Sequence, residues 1–356
     1  MSEYQHTVLD DIKPHPLQKG HHTQGTTPYV FVDSCVQIWE DTDYASLPKY
    51  SATAYCITAF RPHDDAGNAL DAIADWHTIA RNYPQSIRIA RTAQDIVDAK
   101  AQNQTAIIIN SQGGDFLGNH LGRLDVFHAM GLRMMLPAYN NRNAICDGCL
   151  EPDDAGLSRM GRDWVAACNR LGIVMDMTHV GKRATMQVFE LSSQPVVFSH
   201  SNPRALVDND RNVSDEQIKA CAATGGVIAP TNWGPLNLRA GSTTRPTVSD
   251  YLDAVDYIVD LVGIDHVGIG TDMSHGTYPD GDKIRGLASK RIVGGAYAQH
   301  VEKAPRSRLR YVDGFDDYGQ LPKVIDLMKA RGYDEDAITK VLGGNYLRVF
   351  REVWGG

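Results

Sequence analysis

Eight short apolar segments, spread over most of the chain, constrain the fold more than any other feature. They are rich in Val and Ile and lack strict alternation of apolar and polar residues, as expected of strands buried on both faces. The segments are residues 29–35, 52–60, 105–112, 132–139, 173–179, 195–200, 225–231 and 266–272. Amphipathic helix patterns, as in 154–171 and 248–262, fill most of the gaps. This alternation predicts an α/β fold, a (β/α)8 TIM barrel.

A doubly wound sheet is the alternative fold, but no Gly-rich dinucleotide loop follows the first strand. No Pro- or Ser-rich linker divides the chain, which favours one barrel domain over residues 29–356. Residues 1–28 are polar and without a clear period, so we expect an N-terminal arm. Segment 273–317 is long, Gly-rich and basic for this protein, which predicts a lid-like insertion.

Charge and composition argue against several classes of partner. The 356 residues carry a formal net charge of -8 without a long Lys/Arg block, so neither nucleic acid nor an anionic membrane surface is an expected partner. We find no pattern typical of a signal peptide and no apolar stretch long enough to span a bilayer. Six cysteines in so long a chain do not make a disulfide scaffold. A cytoplasmic, reduced protein is the expectation.

Polar side chains stand where the predicted strands end. In a TIM barrel the active site lies at the C-terminal ends of the strands. The residues at these ends are Cys35, Gln37, Gln112, Tyr139, His179, His200 and Asp272. Two histidines on successive strands and an aspartate on the last one favour a hydrolytic site, because imidazole is a common zinc ligand and a carboxylate can take a proton from water.

Five longer segments resemble the membrane (renal) dipeptidase family, peptidase family M19 within the amidohydrolase superfamily. They are "GLSRMGRDWVAACNRLGIVMDMTHVG", "PVVFSHSNPRAL", "DNDRNVSDEQIKACAATGGVIAPTNW", "YIVDLVGIDHVGIGTDM" and "RGYDEDAITKVLGGNYLRVF". The resemblance implies a TIM barrel of the metal-dependent hydrolase type with two zinc ions. One ion would have a His-x-Asp pair, the other two histidines, and a glutamate would bridge them.

The resemblance implies roles for individual residues, and the match is uneven. His179 and His200 correspond to the two later histidines, and Asp272 to the aspartate that handles the proton of the bridging water. Arg211 corresponds to an arginine that binds the dipeptide carboxylate. At the other positions this chain differs: Cys35 and Gln37 replace the His-x-Asp pair, Gln112 the bridging glutamate, and Tyr139 a substrate-binding histidine.

These replacements bear on the metal. A dication in a partly buried site needs anionic ligands, and the neutral amides of Gln37 and Gln112 suit zinc poorly. We therefore do not expect two zinc ions, and two alternatives stay open. In one, Cys35, His179 and His200 hold a single zinc with an open fourth position. In the other the site is free of metal.

In the metal-free alternative, Asp272 is the base and His179 or His200 the proton donor. Gln37, Gln112 and Tyr139 then supply hydrogen bonds to the substrate.

The expected function is a dipeptidase-like hydrolase of a small carboxylate-bearing molecule, with water activated by Asp272 and the carboxylate bound by Arg211. Ordinary dipeptidase activity is not favoured, because a second metal would be needed to polarise the substrate. The alternatives are a non-hydrolytic lyase, decarboxylase or isomerase, or a non-catalytic ligand-binding protein. The resemblance also makes a homodimer an expectation.

Two further features are weaker signals. Cys146 and Cys149 have CxxC spacing without a second such pair, so we expect a packing or substrate-lining role. His275, near the start of the predicted insertion, is expected at the surface.

Overall fold

The computed structural model describes residues 22–276 and 310–355. Most of the predicted arm, 1–28, and most of the predicted lid-like insertion, 273–317, lie outside the described residues. Both therefore stay predictions, as does the extent of the barrel domain.

The strands form one parallel sheet. They are β1 Val32–Ile38, β2 Ala54–Thr58, β3 Ile87–Ile89, β4 Thr105–Ser111, β5 Leu132–Met135, β6 Val174–Asp176, β7 Val196–Val197 and β8 Met273–His275. Their order is β7-β6-β5-β4-β2-β1-β8, and β3 pairs with β4 beside this path. Every ladder is parallel, as connections through helices require.

Single parallel bridges complete the ring between β7 and β1. Phe198 pairs with Ile228, Ile228 with Val267, and Ile269 with Asp33. The predicted strands 225–231 and 266–272 thus take part through isolated bridges rather than continuous ladders. Glycine is required where the backbones approach most closely, since a Cβ on Gly270 would lie 1.7 Å from the carbonyl oxygen of Ser199. The architecture is a (β/α)8 barrel, as predicted.

Helices follow most strands. They are α1 Ala66–Asn82, α2 Ala93–Ala101, α3 Arg123–Ala129, α4 Arg159–Leu171, α5 Lys182–Leu191, α6 Asp215–Ala223, α7 Val248–Val262, α8 Leu321–Ala330, α9 Glu335–Thr339 and α10 Asn345–Trp354. Local signals set their ends: Ser158 caps α4, Gly172 ends it in the left-handed region, and Ser214 with Gln217 forms a capping box on α6. The predicted helix over 154–171 begins at residue 159.

The last helix closes one end of the barrel. Tyr346, Phe350 and Val353 of α10 share a buried cluster with alternate residues of β2, β4 and β6. The Asn345 side chain donates to the carbonyl oxygens of Ile264 and Val267, at the start of the predicted strand 266–272. Since strand starts and strand ends lie at opposite ends of a parallel barrel, α10 leaves the C-terminal mouth to the polar residues.

Within the described ranges, we find no helix that combines the length and apolar character needed to cross a membrane.

A buried carboxylate in β1 makes the stability of the fold depend on pH. Asp33 is 0% exposed and accepts hydrogen bonds from Thr271 and Tyr318. Burial raises its pKa from 3.8 to about 7, and hydrogen bonds, first from the Thr271 side chain, partly oppose this. The folded state therefore holds an extra proton between these pH values, so the free energy of unfolding falls as the pH rises through this window.

We predict that Asp33→Asn removes this pH dependence. The free energy of unfolding of the variant minus that of the wild type should increase by up to about 4 kcal/mol as the pH rises from about 4 to about 7. Urea unfolding at several pH values measures this difference, and Asp265→Asn, at an exposed aspartate, is the control. A difference that stays constant over the range would contradict the prediction.

Candidate active site

The side chains predicted at the strand ends meet at the mouth of the barrel and form two hydrogen-bonded groups. The imidazole pair consists of His179, in the loop after β6, and His200, in the loop after β7. The thiol–carboxylate group consists of Cys35, Gln37, Gln112 and Asp272. Arg211 contacts the imidazole pair through the backbone of His200, and Tyr139 contacts it by stacking. The structure thus brings every predicted site residue to the mouth.

Both rings of the imidazole pair are fixed through their Nδ1 atoms. His179 Nδ1 lies 2.6 Å from the Asn140 Oδ1 carbonyl oxygen, and His200 Nδ1 lies 2.7 Å from Ser199 Oγ. The Ser199 hydroxyl donates to the Asp176 carboxylate, so its oxygen accepts from His200. Each Nδ1 therefore carries the proton, and each Nε2 presents a lone pair.

The two Nε2 atoms lie 3.0 Å apart. Two lone pairs at this distance repel unless a proton or a cation lies between them. Burial, then the positive charge of Arg211, lowers the pKa of both histidines well below 6.5, so a proton is disfavoured. Two nitrogens that each lie about 2.0–2.1 Å from one zinc ion would be separated by roughly 3.3 Å. The donor chemistry of the imidazole pair fits one metal ion.

The thiol–carboxylate group is a chain of hydrogen bonds. Gln112 Nε2 donates to Cys35 Sγ at 3.0 Å, and the thiol donates to Asp272 Oδ1 at 3.6 Å. Gln37 Nε2 donates to the same Oδ1 atom at 3.1 Å. Both amides turn an N–H group, not an oxygen, toward the centre of this group.

Asp272 ends the predicted strand 266–272, directly before β8, in a constrained conformation. Its φ is 54°, and its N–H donates to the Cys35 carbonyl oxygen at 2.8 Å. Burial raises the pKa of its carboxyl group, while Arg310, Gln37 and Arg211 act in the opposite direction. The result is a carboxylate suited to proton transfer closer to neutral pH than an ordinary aspartate.

Arg211 is a buried cation, only 4% exposed. Its Nη2 donates to the His200 carbonyl oxygen at 3.2 Å. Within the described part of the chain, no carboxylate lies within ion-pair distance of its guanidinium group. A buried guanidinium of this kind has hydrogen-bond donors left for an anionic ligand.

The loop after β5 covers His179. The Tyr139 ring stacks on the His179 imidazole, with the two ring centroids 3.9 Å apart. The Cys149 N–H donates to the His179 carbonyl oxygen at 2.8 Å, and its thiol lies 3.5 Å from Asn140 Oδ1. Cys146 and Cys149 are free thiols. Cys149 thus packs beside the imidazole pair, and the choice between the packing and substrate-lining roles expected for the CxxC segment stays a prediction.

His275 differs from the expectation of a surface position. It is buried, and its ring stacks on that of Tyr318 with centroids 5.2 Å apart. It also contacts the ring of His22, so the described part of the N-terminal segment packs over it. Its neighbours are aromatic rings, which explains why burial lowers the pKa of His275 well below 6.5.

Sequence reasoning did not identify the residues that orient the histidines. Asn140 holds His179, while Asp176 holds His200 through Ser199. The one signal for Asp176 was a carboxylate inside an otherwise apolar strand. Asn140 has φ 63°, and no pattern in a single sequence distinguishes it from an ordinary loop asparagine.

The predicted ligand set of Cys35, His179 and His200 is not assembled. Among residues 22–276 and 310–355, no three or more His, Cys, Asp or Glu side chains are arranged to hold a metal ion. Cys35 instead contacts Gln112 and Asp272. Among the described residues of the mouth, the donor atoms that converge are the two Nε2 atoms of the imidazole pair.

We predict that Asn140→Asp raises the pKa of His179 in metal-free protein. A carboxylate beside Nδ1 favours the charged imidazolium, by about 1 to 3 pH units, and Asp tolerates the positive φ of this position. Titration of the histidine ring signals by NMR in the presence of chelator measures the change. Asn141→Asp, at an exposed position of the same loop, is the control. An unchanged His179 titration in Asn140→Asp would show that the 2.6 Å contact does not form.

Comparison with known proteins relates the chain to dipeptidases. The family model described as membrane dipeptidase (peptidase family M19) matches residues 35–284 and 304–354. Dipeptidase tcpJ of Claviceps purpurea (strain 20.1) is 28% identical over 275 residues, which cover 76% of this chain and 56% of that protein. The chain thus spans just over half of that relative. Dipeptidase 3 of Mus musculus is 26% identical over 308 residues, covering 85% of this chain and 54% of the relative.

Solved structures show the same fold. An amidohydrolase from Pseudomonas aeruginosa has a TM-score of 0.81 and 28% sequence identity, and the match covers 92% of this chain and 97% of that one. A metallopeptidase from Rhodobacter sphaeroides, liganded with a phosphinate mimic of the dipeptide L-Ala-D-Ala, has a TM-score of 0.73 at 20% identity, covering 92% of this chain and 100% of that one. The family match extends over most of the residues, from the first barrel strand to the last helix, and the chain belongs to the membrane dipeptidase family, peptidase family M19.

Proposed function

We propose that the protein is a hydrolase that cleaves an amide or related C–N or C–O bond in a small molecule bearing a carboxylate. Asp272 takes the proton of the attacking water, Arg211 binds the carboxylate, and at most one zinc ion takes part. The family supports hydrolysis of a dipeptide-like bond. The changed residues at the mouth argue against ordinary dipeptidase activity.

The buried guanidinium of Arg211 is the observation that carries this proposal. It lies beside the imidazole pair and is close enough to Asp272 to influence the charge of that carboxylate. Burying a cation is costly unless an anion compensates for it. A substrate carboxylate would supply the anion and would place the adjoining bond between Arg211 and Asp272.

The zinc use implied by the family is restricted to one half of the site. His179 and His200 would hold the ion, because their Nε2 lone pairs converge. A bound zinc ion would polarise the scissile carbonyl group and lower the pKa of water. This chain's own residues do the rest: Gln37 orients Asp272, while Asn140 and Ser199 orient the two rings.

Tyr139 and Gln112 complete the proposed substrate-binding residues. The Tyr139 ring covers one face of His179, which limits access of water to the imidazole pair. Gln112 and Gln37 replace anionic side chains by neutral ones, so Asp272 is the single carboxylate of the thiol–carboxylate group. That charge balance favours an anionic substrate over one with a free ammonium group.

We also propose a reduced, cytoplasmic location and a homodimeric state. All six cysteines are free thiols, which supports the first. The family resemblance supports the second. A membrane or nucleic acid is not a proposed partner, in line with the net charge of -8.

We predict that Asp272→Asn lowers kcat/KM by about 10²- to 10⁴-fold, because the general base is lost. In the wild type, activity should fall as the pH drops through the pKa of Asp272, which burial places above 3.8. A panel of N-acyl amino acids and dipeptides, assayed from pH 4 to 8, tests both statements, with Asp265→Asn as control. If the wild type binds a compound saturably but turns over none, a ligand-binding protein is favoured. If it cleaves a carbon–carbon bond or isomerises a compound, a non-hydrolytic enzyme is favoured.

We predict that Arg211→Gln raises KM for substrates with a free carboxylate by about 10- to 150-fold, the loss of a charge-assisted hydrogen bond worth 1.5–3 kcal/mol. Substrates capped as the C-terminal amide should be affected far less. Arg204→Gln, at an exposed arginine that pairs with Asp208, is the matched control. Equal effects of Arg211→Gln on free and capped substrates would remove the carboxylate from the proposal.

A further inference from the structure

The thiol–carboxylate group contains one residue, Cys35, whose hydrogen bonds have no role in the proposed function. We infer that Cys35 is a positioning residue: its protonated thiol joins Gln112 to Asp272, and this hydrogen-bonded chain takes the place of a metal ion in orienting the carboxylate. The inference deepens the proposed function and rests on it for the role of Asp272. It assigns no metal to Cys35 and leaves the imidazole pair as the one metal-binding half of the mouth.

The directions of the hydrogen bonds require a protonated thiol. The Gln112 amide donates to Sγ at 3.0 Å, so sulfur is an acceptor there. The neighbouring Asp272 Oδ1, 3.6 Å from the same sulfur, is an acceptor and must receive the S–H proton. A thiolate at this position would face the carboxylate as a second anion. Burial, followed by the charge of Asp272, raises the pKa of the Cys35 thiol well above 9.0.

The same directions disfavour a cation. A metal ion needs lone pairs turned toward it, but Gln37 and Gln112 both present N–H groups to Asp272 and Cys35. The positive ends of these dipoles repel a cation, and no further anion of the group offsets its desolvation. Cys35 is fully buried, and Gln112 nearly so. The Gln112 amide therefore has no nearby solvent toward which to rotate at low cost.

The chain also fixes the orientation of Asp272. Two donors, Gln37 Nε2 and Cys35 Sγ, share Oδ1, and the backbone N–H of Asp272 is bound to the Cys35 carbonyl oxygen. The Tyr311 hydroxyl donates to the Asp272 carbonyl oxygen at 3.1 Å. The Oδ1 atom is thus occupied by the protein, which leaves Oδ2 for the attacking water.

The experiment loads chelator-treated full-length protein with cobalt(II) or zinc. It compares the wild type with Cys35→Ser, Cys35→Ala and the double variant Gln37→Glu/Gln112→Glu. Ions per chain are measured by elemental analysis after equilibrium dialysis, and sulfur-to-cobalt charge transfer by near-ultraviolet absorption. Cys149→Ser is the control, because its thiol lies near His179 rather than Asp272.

We expect at most one ion per chain and no Cys35-dependent charge-transfer band in the wild type, with the same stoichiometry in Cys35→Ser. The double variant keeps the shape of both side chains but turns two donors into acceptors. It should gain one ion per chain, with a new band that disappears when Cys35→Ser is added. Two ions in the wild type, a wild-type band lost in Cys35→Ser but kept in Cys149→Ser, or no gain in the double variant would each overturn the inference.

Activity gives an independent readout of positioning. Cys35→Ala should lower kcat by about 10-fold with KM unchanged, since a misplaced general base affects the chemical step. Cys35→Ser should restore most of kcat, because a hydroxyl can both accept from Gln112 and donate to Asp272. Equal kcat values for Cys35→Ala and the wild type would refute the positioning role. Absence of turnover in the wild type would refute the proposed function, while the metal measurements would still decide the role of Cys35.

Discussion

The hydrogen bonds that hold the two Nδ1 atoms of the imidazole pair determine the chemistry of the whole mouth. Because Asn140 and Ser199 accept at these atoms, both Nε2 lone pairs point to one place. The Asp176 carboxylate stands behind Ser199, and the backbone N–H groups of Thr178 and Ser199 stabilise it in turn. The barrel thus uses a buried carboxyl group, well inside the protein, to orient an imidazole at the rim through Ser199.

The mouth is electrically asymmetric. On one side lie the imidazole pair, whose pKa values burial lowers, and the positively charged Arg211 guanidinium. On the other side, the Gln37 amide and the Cys35 thiol donate hydrogen bonds to the Asp272 carboxylate. Cys35, Gln37 and Gln112 are alike in this respect, since each donates a hydrogen bond within the thiol–carboxylate group.

The barrel could be predicted from the sequence because its evidence is local: apolar strands buried on both faces recur between amphipathic helices. The strand-end residues could be placed for the same reason, since the C-terminal ends of parallel strands converge. What could not be predicted is which atoms face one another. The reach of Cys35 depends on the register shift in β1 between Asp33 and Val36, and the partner of His179 comes from a different loop. Both are set by tertiary packing.

Three non-glycine residues of the mouth, Asn140, His179 and Asp272, have φ between 54° and 68°. Such a conformation costs of order 1–3 kcal/mol for a residue such as His179 and less for Asn140 and Asp272, because asparagine and aspartate adopt the left-handed region more readily. Selection for thermal stability alone would therefore favour glycine at these positions and erase the site. A stabilised scaffold built from this barrel should therefore keep all three residues fixed while the closing helix and the outer shell are redesigned.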